Sequence, residues 1–127
     1  MKKILILSLT LFTLLSCSSS DEISGNSIIG TWKLISHSDL TSLPECMKKS
    51  TLIFNSNTTI SGTHYEADCD MNSISGSFSE INDSEYKIEF TGGTDKANAI
   101  ISGNVLTVNH ISQSSSQQII RVLKYTK

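Results

Sequence analysis

The chain has 127 residues, 10 basic and 12 acidic side chains, a net charge of −2, and 38% hydrophobic residues. That is the size of one domain with a modest core. No Lys or Arg cluster large enough to hold a phosphate backbone is present, so a nucleic-acid partner is excluded.

The first sixteen residues read as a signal peptide rather than as part of the fold. Lys2 and Lys3 form a basic start, Ile4 to Leu15 an apolar run, and small Ser16 precedes Cys17. This is the order of a secretory signal, and the run falls short of the roughly 20 residues that a spanning helix needs. Leu14-Leu15-Ser16-Cys17 resembles the lipobox of bacterial lipoproteins, where the Cys becomes the diacylated first residue. The alternative is an ordinary cleaved signal with a Cys nearby. Residues 18–27, with one apolar side chain, read as a flexible tether. Asp21-Glu22 resembles acidic sorting signals that direct some lipoproteins to the outer cell surface, and a merely soluble linker is the alternative. The expected location is the cell envelope, lipid-anchored to the outer membrane and facing the periplasm or the surface. The membrane is then a partner through the anchor.

Residues 28–127 form the folded unit on this reading. Removing Lys2 and Lys3 leaves 8 basic and 12 acidic residues, a net of −4. Ser, Ile and Thr are abundant, and only one Pro is present, which favours strands. No convincing helix of ten or more residues appears. The first strand runs from Gly30 to Ser36, with Gly30, Trp32 and Leu34 on one face. A longer connection, Asp39 to Lys48, holds Pro44 and Cys46 and has room for a helical turn. Thr51 to Asn55 follows, placing Leu52 and Phe54 together, then Thr58 to Tyr65 and a loop with Cys69. Ser73 to Ser79 sets Ile74, Gly76 and Phe78 against a face of serines. Glu85 to Thr91 alternates Tyr86, Ile88 and Phe90 with Lys87 and Glu89, the clearest half-buried strand in the chain. Ala97 to Ser102 turns through Gly103-Asn104 into Val105 to Ile111. A Ser/Gln-rich loop, Ser112 to Gln117, precedes Gln118 to Tyr125.

Eight sequential strands joined by short turns must hide their edges. An all-β, antiparallel up-and-down barrel does so by closing on itself, and a two-sheet sandwich is the alternative. Eight strands enclose an interior that side chains fill or that holds one small ligand.

Cys46 and Cys69 remain once Cys17 is lipidated. In an oxidising compartment they are a candidate disulfide, closing a loop worth roughly 3 kcal/mol. Two free thiols or a metal pair are the alternatives, and no further soft ligand has metal-site spacing. Asp68-x-Asp70-x-Asn72 opens like a calcium loop, but Ser73 and Ser79 stand where Gly and Glu are needed. Glu66, Asp68 and Asp70 therefore read as a solvated acidic loop. No metal and no cofactor is expected. His37, His64 and His110 lie on different strands and read as three separate surface or rim histidines, with a paired metal or acid–base site as the alternative. No serine sits in a nucleophile-elbow pattern, and no catalytic residues are assigned.

Ile29-Gly30-Thr31-Trp32-Lys33-Leu34 resembles the Gly-x-Trp signature of lipocalins. More narrowly, the layout resembles the short lipocalin-like domain of bacterial lipoproteins: a lipobox, Gly-x-Trp in the first strand, and a Cys before the second. A Leu-x-Phe strand (Leu52, Phe54), a second Cys after the third strand and a terminal Tyr continue it. The resemblance implies that Trp32 plugs the closed end of the barrel under a cation from the last strand, with Arg121 matching by position. It also implies a binding protein rather than an enzyme, taking a small apolar or amphipathic ligand. Phe54, Tyr65, Phe78, Tyr86 and Phe90 either line the ligand cavity or fill a solid core. A filled barrel would favour a non-enzymatic interaction module contacting a protein or glycan, and an open apolar pocket of about 300 Å³ or more would favour a ligand binder.

Overall fold

The computed structural model of the chain describes residues 27–127. The signal-peptide, lipidation and tether assignments fall outside the described residues, Ser27 apart. The described chain is a closed eight-stranded antiparallel barrel in up-and-down order. Its strands are β1 (Gly30–His37), β2 (Thr51–Phe54), β3 (Thr59–Tyr65), β4 (Met71–Asn82), β5 (Glu85–Phe90), β6 (Lys96–Ser102), β7 (Val105–Ser114) and β8 (Gln117–Thr126). Pairing of β1 with β8, Leu34 opposite Tyr125 and His37 opposite Leu123, seals the cylinder, so no sandwich forms.

Strand period decides what faces inward. Trp32 and Leu34, Leu52 and Phe54, Tyr86 and Ile88, Ala97, Ala99 and Ile101, Leu106 and Val108, and Leu123 and Tyr125 are all buried. Their neighbours in sequence point outward, the two-residue alternation of a half-buried strand. One irregularity matters for the site. A register shift between Leu34 and Ser36 leaves Ile35 half-exposed and brings His37 back to the interior side. Two interior glycines mark where strands curve tightly. A Cβ at Gly62 would lie 2.2 Å from the Thr51 carbonyl oxygen, and one at Gly76 would lie 2.3 Å from that of Glu89. Backbone passes where a side chain would stand, the use a strand makes of glycine at a tight bend.

The two ends differ. Trp32, the turns after β2, β4 and β6, and Lys127 gather at one end. The opposite end carries the 38–50 connection, residues 66–70 and 91–95, and the β7–β8 turn. The Ser/Gln-rich stretch expected as a loop is a continuous ladder: Ser112 pairs with Ile119, Gln113 with Gln118 and Ser114 with Gln117. Hydrogen bonding between two strands uses only backbone groups, so polar side chains do not stop it. The 38–50 connection contains one 3₁₀ turn, Met47–Lys49, and places Met47 in the core.

Candidate functional site

The lower half of the barrel is solid. Phe54 and Phe78 meet edge-to-face with centroids 5.1 Å apart, and Phe78 meets Tyr86 at 6.1 Å. Ala97 and Ala99, both fully buried, stand opposite Ile88 and Tyr86 on the neighbouring strand and leave room for the rings. Three of the five aromatic candidates are therefore packed together in the core. Tyr65 has the opposite strand parity from Ile60 and His64, so it faces away from the interior. Its backbone N–H donates to the Ser50 hydroxyl.

Trp32 closes this end. Its indole N–H donates to the Ile28 carbonyl at 2.7 Å, and the ring is 1% exposed. The cation over the ring is Lys127, with Nζ 4.9 Å from the centroid while also donating to the Ser27 carbonyl. Arg121, expected in that place, is elsewhere. The last strand runs from the open end toward the closed end, so residue 121 lies about 15 Å above the strand's end at roughly 3.3 Å per residue. Only the residue just past that strand, Lys127, comes level with the indole.

The upper half is hollow. A cavity of about 230 Å³ opens among His37, Leu52, His64, Ile74, Phe90, Val108, His110, Arg121, Leu123 and Tyr125. All ten lie on the interior face of their strands. Phe90 is the one aromatic candidate that lines it. The three histidines, expected as separate, share this one cavity, because closure draws the tips of β1, β3 and β7 together and the β1 irregularity turns His37 inward. Parity identifies two of them in the sequence, since His64 continues the Ile60, Gly62 series and His110 the Leu106, Val108 series. The same count places Arg121 above Leu123 and Tyr125. Nothing in the sequence marks the register shift that turns His37. Among the described residues, no group of three or more His, Cys, Asp or Glu is placed to hold a metal ion. Asp68 instead accepts the Asp70 backbone N–H and shapes its own loop.

Each basic group at the mouth except His37 has an acid beside it. Arg121 Nε donates to Asp39 Oδ2 at 3.1 Å, His64 Nε2 is 3.4 Å from Glu66 Oε1, and His110 Nε2 is 3.5 Å from Asp95 Oδ2. His37 Nδ1 accepts the Asp39 backbone N–H. The Ser38 hydroxyl, and after it Arg121, hold the Asp39 carboxyl below its ordinary range. Burial lowers the pKa of His110, outweighing the upward pull of Asp95, and Arg121 and His64 lower it further. Phe90 packs against its imidazole with centroids 5.4 Å apart. Burial pushes the Tyr125 phenol up to about 12.

The connection over the mouth is pinned at several points. Cys46 and Cys69 form a disulfide with Cα atoms 5.1 Å apart, joining the connection to the β3–β4 loop. Buried Ser50 takes the Tyr65 N–H on its hydroxyl and the Leu34 N–H on its carbonyl. Ser38 exchanges two hydrogen bonds with Val122.

The model of the family described as "Lipocalin-like domain" matches residues 28–111. The chain belongs to the lipocalin-like domain family. The match takes in Trp32, both cysteines of the disulfide and all three cavity histidines, and it stops short of β8 with Arg121 and Tyr125. A comparison with curated proteins finds no match.

Proposed function

We propose that this lipocalin-like domain is a non-enzymatic binding protein that takes a small amphipathic molecule into its mouth, held at the cell envelope by a lipid on Cys17. The cavity of about 230 Å³ falls short of the roughly 300 Å³ expected of a drug-sized ligand site, and the observation that carries the reading is the half-filled barrel itself, with an apolar floor and a polar rim. An empty apolar cavity of about 150 Å³ takes up benzene, so the space here suits a molecule of about ten heavy atoms and excludes a long-chain lipid held entirely inside. The anchor fits the same picture. Residues 27 and 28 lie at the Trp32 end, so the chain enters the barrel from the end opposite the mouth.

Native mass spectrometry of the protein purified from its own envelope tests the ligand. The expected result is a population carrying a small added mass that is lost on gentle activation. A uniformly unliganded population that also takes up nothing from a panel of small amphipaths would overturn the reading. Cys17→Ala tests the anchor: the protein should leave the membrane fraction or stay unprocessed, and a processed variant that remains in the membrane would refute it.

A second reading rests on the outer wall. Ile120 is exposed on the long β7–β8 hairpin, on the same face as an open groove of about 520 Å³ lined by Thr94, Lys96, Ile111, Gln113 and Gln118. This surface suits an interaction module contacting a protein or glycan, and an unliganded mouth in the native measurement would favour it.

A further inference from the structure

The polar lining of the cavity is one-sided. His37, His64, His110 and Arg121 line it, together with the Tyr125 phenol, and no carboxylate does. The three nearby acids, Asp39, Glu66 and Asp95, are 53%, 53% and 40% exposed and stand on the outer side of their basic partners. Asp39 takes the Nε of Arg121. No hydrogen bond from the other described residues reaches the Nη atoms of that guanidinium. Tyr125 is 5% exposed and lines the cavity below Arg121 and Leu123. Arg121, Leu123 and Tyr125 repeat every second residue on one interior face, so they step down the wall at about 6.6 Å each.

Resting on the reading of this cavity as a ligand site, we propose that its ligand is a small carboxylate with an apolar body. The carboxylate sits at the rim on the Arg121 guanidinium within reach of the histidines. The body packs on Leu52, Ile74, Phe90, Val108 and Leu123. A planar guanidinium matches a carboxylate with two parallel N–H donors, a geometry no imidazole supplies alone. Asp39 is the internal anion that holds Arg121 in the absence of ligand, and an incoming carboxylate competes with it.

Calorimetric titration of the full chain with octanoate, 1-octanol and octylamine tests the proposal, because the three share a tail and differ in head charge. Octanoate should bind most tightly. Arg121→Gln should weaken octanoate roughly tenfold or more, the scale of a hydrogen-bonded charge pair, and leave octanol unchanged. Asp39→Asn should strengthen octanoate by removing the competitor. Equal binding of octanoate and octanol, insensitive to Arg121→Gln, would overturn the carboxylate assignment while leaving a ligand site in place. Tighter binding of octylamine would overturn it as well, assigning the mouth to cations through Asp39, Glu66 and Asp95. If none of the three binds, the proposal falls together with the ligand-binding reading at this size.

Discussion

Trp32→Ala is the substitution that most directly tests how the barrel is closed. The ring is 1% exposed, so truncation removes roughly 200 Å² of buried aromatic surface and leaves a void that Leu34, Phe54 and Ile28 cannot fully refill. Such changes cost about 3–5 kcal/mol. The indole N–H bond to the Ile28 carbonyl is also lost, exposing a buried acceptor. For a domain of about 100 residues, 4 kcal/mol corresponds to roughly 15–30 °C in melting temperature, a large share of the whole stability of such a domain. The cations separate the contributions. Lys127→Ala removes one exposed ammonium over the ring and should cost about 0.5–1 kcal/mol. Arg121→Ala breaks a half-exposed pair with Asp39 at the other end and should cost no more than about 1 kcal/mol. Urea denaturation of the four proteins, with slopes compared to check two-state behaviour, gives the order directly. A Trp32→Ala midpoint within about 1 kcal/mol of wild type would refute the plug. An Arg121→Ala loss larger than that of Lys127→Ala, with Trp32→Phe abolishing the difference, would return Arg121 to the indole.

Replacing both Cys46 and Cys69 by Ser should lower stability by about 3 kcal/mol, since the unfolded chain recovers the freedom of the closed loop. Hydrogen exchange should quicken in residues 38–50 and 66–70 and stay slow around Trp32, and an unchanged denaturation midpoint would refute the contribution. His110 predicts a pH effect of definite sign. Its folded pKa lies below the unfolded value of about 6.5, so the unfolded chain binds the proton first, and stability should decline as pH falls through and below that value. His110→Gln should flatten this decline between pH 7.5 and 5.5. The carboxylates with lowered pKa, Asp39 and Glu89, begin to act only at about pH 5.5 and below, where their unfolded forms start to protonate, and leave most of that window clear. A His110→Gln profile parallel to wild type would contradict the assignment.

The fold was legible because strand period and turn chemistry agreed along most of the chain. Tyr86, Ile88 and Phe90 alternate so regularly with charged neighbours that only one face could be buried. The Gly103-Asn104 pair set the β6–β7 hairpin. Legibility failed where tertiary context outweighed local pattern. The serines and glutamines of 112–118 look like loop in isolation, yet they pair as strand because a hairpin started farther down simply continues. Arg121 was given to Trp32 because a position in the last strand says nothing of height along the barrel. Direction does: with β8 running from mouth to closed end, a residue five positions before its end is nearer the mouth than the plug. His37 was least legible, since its inward orientation depends on a one-residue register shift with no sequence mark.

The unequal filling of the two halves follows from the side chains rather than from the backbone. One set of eight strands encloses the whole length, so its circumference is similar at both levels. At the lower level the interior positions hold an indole, two phenyl rings and a phenol against two alanines, and the space is used up. At the upper level they hold imidazoles and a guanidinium, which cannot be packed dry against leucines without losing their hydration. Asp39 accepts from Arg121 Nε, and Glu66 and Asp95 stand beside His64 and His110, so polar groups occupy positions that apolar side chains would otherwise have filled. A barrel selected for stability alone gains from leucine or isoleucine at positions 37, 64, 110 and 121, by less than the roughly 1.5–3 kcal/mol of a fully buried side chain because these positions are partly exposed. The four polar side chains at interior positions of one end, His37, His64, His110 and Arg121, are why that half of the barrel stays open.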